Sequence, residues 1–143
     1  AAIPEQIYPT ADLPAMLPHC DYVVVLAPLT AGTHHMFGPD AFARMKPDAF
    51  FFNLARGGLV NEAALVNALR QNQIAGAGLD VFEQEPLPSQ SPLWQMENVI
   101  ISPHVAGFSP HYDDRASDLL AENLRRFLAG EPLLNLVDRT HEY

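Results

Sequence analysis

Ala49-Phe-Phe-Phe-Asn-Leu-Ala-Arg-Gly-Gly58, Asn61-Glu-Ala-Ala-Leu-Val-Asn-Ala-Leu-Arg-Gln71 and Ile74-Ala-Gly-Ala-Gly-Leu79 follow one another almost without a gap. The first opens with an apolar run of strand length, Ala49–Leu54, and ends on a glycine pair. In the second, Asn61 caps an amphipathic helix over Glu62–Gln71. Leu65, Val66 and Leu69 share one face of it, and Glu62 places a negative charge in the first turn. The third is a strand of small residues, which suggests close approach of a helix or a ligand. Strand, helix, strand in this span is the unit that joins two parallel strands.

The same alternation extends outward. Tyr22-Val-Val-Val-Leu-Ala27 is a continuous β-branched and apolar run, which predicts a strand covered on both faces. Pro28–Thr33 has turn chemistry, and Pro39–Met45 reads as a short helix opened by proline. Asn98–Ile101 is a short fourth strand. A long helix over His111–Ala129 stops at Gly130-Glu-Pro132. Residues 1–19, with four prolines, read as loop plus a short helix at Ala11–Leu17. Glu83–Pro92 is a polar loop, and Val137–Tyr143 has no periodicity. The whole predicts an α/β domain with a parallel sheet. No Gly-x-Gly-x-x-Gly occurs, and Gly76-Ala-Gly78 precedes a loop rather than opening a helix. The pattern therefore resembles the second half of a doubly wound, Rossmann-type sheet, and the chain reads as a fragment.

Composition narrows the function classes. The chain has 143 residues, 48% of them hydrophobic, with 17 acids against 8 bases and a net charge of −9. Such a surface repels a phosphate backbone, which argues against nucleic acid. No apolar run reaches bilayer length, which argues against a membrane span. The single cysteine, Cys20, excludes an internal disulfide and fits a reducing cytoplasm; it reads as buried rather than nucleophilic. His34-His35 does not form a metal site, because adjacent residues on a strand point to opposite sides and no further ligand lies at metal spacing. His19, His111 and His141 read as structural or surface residues, and Phe50-Phe51-Phe52 as core on both faces.

Three ionisable groups remain, each following an apolar run: Arg56, a glutamate in Glu83-Gln-Glu85, and His104. Ligands of an open parallel sheet bind beyond the carboxyl ends of its strands, where all three would sit. A guanidinium clamps a carboxylate with paired hydrogen bonds, and a histidine protonates a ketone oxygen. A carboxylate beside that histidine would accept its N–H and favour the charged ring. Those are the parts for reducing a 2-keto acid. Gly57-Gly58 would leave room for a ligand to approach the backbone. Residue chemistry alone does not choose between Glu83 and Glu85.

Asp21-Tyr-Val-Val-Val-Leu-Ala-Pro-Leu-Thr30, Asn53–Gly57, the run Gly76–Pro86 ending in Glu-Gln-Glu-Pro, and Pro103-His104 resemble, in order and spacing, the D-isomer-specific 2-hydroxyacid dehydrogenases. Ser91-Pro-Leu-Trp94 and Val137-Asp-Arg139…Tyr143 look most like the glyoxylate/hydroxypyruvate reductases of that family. The resemblance implies Arg56 as substrate anchor, His104 as acid/base and Glu85 as its partner. It implies NAD or NADP as cofactor. Leu54, Ala55, Arg56, Asp80 and His104 would lie on the nicotinamide side, Ala27 and Pro28 on the adenosine side, and the backbone of Val105, Ala106 and Gly107 close by. Asp80 has a structural alternative, capping the turn at Val81-Phe82. The resemblance further implies that residues 1–108 are a partial dinucleotide-binding domain. Residues 109–143 would be the carboxyl-terminal helix and tail of a substrate domain, with the apolar stripe Leu119, Leu120, Leu124, Phe127 and Leu128 partly uncovered. The full-length protein would be a cytoplasmic homodimer acting on a small 2-keto acid. A non-catalytic, NAD-sensing scaffold on the same fold is the alternative.

Overall fold

The computed structural model describes residues 4–140; residues 1–3 and 141–143, with His141 and the end of the tail, lie outside the described residues. Four strands, β1 (Tyr22–Val25), β2 (Phe50–Asn53), β3 (Gly76–Leu79) and β4 (Val99–Ile101), form one parallel sheet in that spatial order. The helices are α1 (Leu13–Met16), α2 (Pro39–Phe42), α3 (Glu62–Arg70) and α4 (Tyr112–Ala129). Because every strand runs the same way, the residues that follow Val25, Asn53, Leu79 and Ile101 share one edge of the sheet. The chain divides into two compact units, residues 1–104 and 105–143. Among the described residues no helix is long and apolar enough to cross a membrane.

In the first unit the core lies on one face of the sheet. Val23, Val25, Phe51, Ala77 and Leu79 pack with Leu65, Val66, Ala68 and Leu69 of α3. Phe37 and Phe42 meet Phe51 edge-on, with ring centroids 5.0 and 5.3 Å apart, a favoured aromatic geometry. The start of α3 is as the sequence predicts: Asn61 Oδ1 accepts the Ala64 N–H at 2.9 Å, satisfying one of the helix's orphan donors.

Several expectations need correction. β1 ends at Val25 rather than Ala27, and its burial is one-sided: Val23 and Val25 are buried while Tyr22 is 67% exposed and Val24 is also exposed. The phenylalanine run likewise buries only Phe51 fully; Phe50 is exposed and Phe52 half-buried. Tyr22 and Phe50 stack on this outer face with centroids 5.9 Å apart. α2 stops at Phe42 instead of Met45, and the first helix is broken into 3₁₀ turns at Thr10–Asp12 and Leu17–His19 around α1. Of the small residues of β3, Ala77 packs towards α3, while Gly76 and Gly78 serve the neighbouring strand rather than a helix or a ligand. In register, Gly76 lies beside Phe50 and Gly78 beside Phe52. A Cβ on Gly78 would stand 2.6 Å from the Phe52 ring, so the glycines make room for the aromatics of the neighbouring strand.

In the second unit α4 ends on Gly130, whose φ of 68° is the left-handed conformation that closes a helix. Glu122 binds Arg125 and Arg126, and the two guanidiniums hold its carboxyl down at about 2. Asn123 exchanges hydrogen bonds with the backbone of Leu134, Oδ1 accepting at 2.7 Å and Nδ2 donating at 3.2 Å. Leu120, Leu124, Phe127 and Leu128 are exposed.

Candidate active site

At the end of β2, Asn53 is 1% exposed and shapes the loop that carries Arg56. Its Oδ1 accepts the Ala55 N–H at 3.2 Å and its Nδ2 donates to the Arg56 carbonyl at 2.9 Å. A buried amide held at both ends fixes the turn as secondary structure would. Arg56 is exposed, with Nη1 donating to the Ala55 carbonyl at 2.6 Å. Leu54 is exposed, whereas Ala55 is buried in the core, its backbone N–H and carbonyl taken by Asn53 and Arg56.

Gly57 is present for a different reason from the one its sequence suggests. A Cβ there would overlap the Phe82 carbonyl group and stand 2.5 Å from the Glu83 nitrogen. The glycine therefore lets the Arg56 loop touch the backbone of the loop after β3, rather than admitting a ligand. Gly58 is crowded by the Leu29 side chain at 3.1 Å. Since backbone cannot swing aside, Gly57→Ala is expected to destabilise the protein by about 1–3 kcal/mol, the usual cost of overpacking. A thermal melt checks this, and an unchanged midpoint would contradict the contact.

The exits of β3 and β4 are tied together. Asp80 is 1% exposed; its Oδ1 accepts the Ser102 hydroxyl at 2.5 Å, and its carbonyl accepts the His104 N–H at 2.9 Å. The Phe82 N–H donates to Glu85 Oε1 at 3.0 Å. Glu85 Oε2 then lies 2.7 Å from His104 Nδ1. The bond to His104 is the main cause that holds the Glu85 carboxyl below its usual range; burial opposes it, and the Phe82 N–H and the charge of Arg56 add to it. The Glu85-Pro86 peptide is cis. His104 has φ 54°, a left-handed conformation uncommon for residues with a side chain.

Glu85 and His104 share a cleft of about 590 Å³ with Asp80, Phe82, Leu87 and Trp94, a size that suits a small organic ligand. Arg56 does not line it. Ala27 is half-buried and Pro28 exposed beyond β1. Val105, Ala106 and Gly107 are exposed in the second unit, and a Cβ on Gly107 would meet nothing within 4 Å. Glu83 goes elsewhere, pairing with His35 at 2.7 Å. His34 and His35 lie in a turn, not a strand, and their rings stack with centroids 3.9 Å apart. No group of three His, Cys, Asp or Glu able to hold a metal occurs among the described residues. Sequence reasoning assigns no role to Asn53 or Ser102. The signal available is a polar residue directly at a strand's carboxyl end, before Leu-Ala-Arg-Gly in one case and before Pro-His in the other.

Residues 2–106 match the family described as D-isomer specific 2-hydroxyacid dehydrogenase, NAD binding domain. A glyoxylate reductase of Korarchaeum cryptofilum is 45% identical over 127 residues, 89% of this chain. The chain spans only 38% of that relative's length. A D-isomer specific 2-hydroxyacid dehydrogenase from Xanthobacter autotrophicus Py2, solved with NADPH and MES, superposes with a TM-score of 0.87 at 46% identity, covering 93% of this chain and 54% of that one. An NADPH-dependent glyoxylate/hydroxypyruvate reductase from Sinorhizobium meliloti, solved with NADP and sulfate, gives 0.86 at 38% identity, covering 95% of this chain and 44% of that one.

Proposed function

The chain belongs to the D-isomer-specific 2-hydroxyacid dehydrogenase family, and we propose that Arg56, Glu85 and His104 reduce a small 2-keto acid in the intact protein. Glyoxylate and hydroxypyruvate are the substrates the relatives suggest. The observation that carries the reading is the 2.7 Å contact between Glu85 Oε2 and His104 Nδ1 at the carboxyl edge of a parallel sheet. With Nδ1 held, the proton on Nε2 is the one His104 gives to the ketone oxygen. A negative charge beside the ring favours the protonated form that this step needs. Arg56 holds the substrate carboxylate in a bidentate grip and orients the adjacent ketone.

A nicotinamide cofactor, NAD or NADP, would supply the hydride from its reduced form and leave oxidised. The residues present fit its nicotinamide half: Asp80 brings a buried carboxylate to the cleft wall, a hydrogen-bond acceptor suited to a carboxamide. Leu54, Ala55 and Asp80 would hold that half. Ala27 and Pro28 would meet the adenosine. The 143 residues contain no Gly-x-Gly-x-x-Gly turn for the pyrophosphate.

In this reading residues 1–108 are part of the dinucleotide-binding domain and residues 109–143 the carboxyl-terminal helix and tail of the substrate domain. The intact protein would be a homodimer in the cytoplasm, a reducing compartment that the single cysteine of these 143 residues suits. The acidic charge of these 143 residues disfavours nucleic acid as a partner.

Glu85→Gln tests the pair directly. The amide still accepts a hydrogen bond but removes the negative charge that pairs with His104, the coupling that also holds the Glu85 carboxyl low. The alkaline limb of the pH–rate profile for reduction is expected to move down. A limb that stays in place would remove Glu85 from the mechanism.

A further inference from the structure

Glu83 stands two residues before Glu85 on the same loop, and its side chain serves a separate set of partners. Its Oε1 meets His35 Nε2 at 2.7 Å and accepts the Glu62 N–H at 3.2 Å. Glu62 Oε2 in turn accepts the Glu83 N–H at 3.4 Å. The Glu83 carboxylate thus sits at the amino end of α3, where the helix dipole favours a negative charge. It satisfies a second orphan N–H beside the one that Asn61 caps. Burial pushes the Glu62 carboxyl up; the backbone bond with Glu83 opposes this and the Glu83 charge adds to it.

His35 is itself held. Its φ is 54°, its N–H donates to the Gly58 carbonyl at 2.8 Å, and its ring stacks on His34. Gly58 follows Gly57, which touches the Phe82 and Glu83 backbone. Three segments therefore meet at Glu83: the turn after β1, the Arg56 loop entering α3, and the loop after β3. Neither Glu83 nor His35 lines the cleft that Glu85 and His104 share.

We propose that the Glu83–His35 pair is a clamp that positions Glu85 against His104, an inference resting on the keto-acid reading above. Glu83 and His35 are positioning residues rather than catalytic ones. Only Gln84 separates Glu83 from Glu85, and Phe82, whose N–H holds Glu85 Oε1, lies immediately before Glu83. Freeing Glu83 lets this short segment drift, and the contact with His104 lengthens. The clamp side chains are 36% and 39% exposed, so their charge contributes little through solvent and their value is geometric. A glutamine, whose carbonyl accepts both N–H groups, should serve nearly as well. The charged and titratable groups facing the clamp are Glu62 and His34; Glu85 faces His104, Arg56 bears on Glu85 through its charge, and Asp80 lines the same cleft.

The test is steady-state reduction of glyoxylate by the intact protein, across pH, for Glu83→Ala, Glu83→Gln, His35→Ala, the double alanine variant and Glu85→Gln. Glu83→Ala is expected to lower kcat roughly tenfold, since small misplacements of a catalytic group are costly, with KM changed less than about twofold. Its alkaline limb should move towards that of Glu85→Gln. Glu83→Gln should keep kcat within about twofold of the unaltered protein, and the double variant should be no worse than Glu83→Ala alone, because one clamp breaks once. If Glu83→Ala fails to fold, His35→Ala carries the same expectation from the other side. A wild-type kcat and limb in Glu83→Ala, or losses that multiply in the double variant, would overturn the clamp. A Glu85→Gln limb that stays put would overturn the keto-acid reading and the clamp with it, whereas a moved Glu85→Gln limb beside an unmoved Glu83→Ala limb overturns the clamp alone.

Discussion

Replacing His104 with asparagine in the intact protein is expected to lower kcat for 2-keto acid reduction by roughly 10²- to 10⁴-fold, the range that a positioned acid contributes. Asparagine is the informative choice because the backbone at this position has φ 54°, and asparagine tolerates the left-handed region better than most residues. The fold is thereby spared while the proton donor is lost. The side chain of His104 is 47% exposed, so little core packing is disturbed and the thermal midpoint should hold. Glu85 would then keep its bond to the Phe82 N–H but lose its partner on Oε2. Rates measured across pH should lose the limb assigned to His104. A loss smaller than about tenfold would place the proton donor elsewhere, since acid catalysis contributes more than that.

The second large effect is expected from Arg56→Lys. Arg56 is exposed and its guanidinium rests on the carbonyl of Ala55, so as a mere surface charge it would tolerate lysine without consequence. If it grips the substrate carboxylate in a fork, lysine keeps the charge and loses one of two parallel bonds. A hydrogen bond to a charged group contributes about 1.5–3 kcal/mol, which corresponds to a fall in kcat/KM of roughly 10- to 150-fold. Both kcat and KM should suffer, with nicotinamide binding retained and the melting midpoint little changed. Kinetics with several small 2-keto acids checks this, and near-wild-type kcat/KM for all of them would remove Arg56 from the account.

What is legible in the sequence is local. The alternation of apolar runs with an amphipathic helix predicts the parallel sheet, Asn61 predicts the start of α3, and Gly130 predicts the end of α4; each depends on residues a few positions apart. The misreadings concern partners distant in the chain. Tyr22 and Val24 sit in an apolar run, yet that run says nothing of what covers its second face. Gly76 and Gly78 read as space for a helix or ligand until the register sets them beside Phe50 and Phe52. Gly57 reads as room for a ligand until the loop after β3 is set against it. At the site, chemistry alone does not choose between Glu83 and Glu85; in the fold each carboxylate has its own histidine, His35 for Glu83 and His104 for Glu85. Asn53 and Ser102 go unassigned because each holds a strand exit rather than presenting a group to solvent. The stacking of His34 on His35 is invisible to a reading that assumes strand alternation where the chain turns.

The central claim is that this site turns over a small 2-keto acid, and oxidation of NADH or NADPH by the intact protein tests it most directly. Glyoxylate and hydroxypyruvate are the first substrates to offer. The account predicts oxidation that depends on the keto acid and stops when the substrate is withheld. Firm binding of either nicotinamide cofactor with no turnover of any 2-keto acid would contradict it and favour a non-catalytic scaffold.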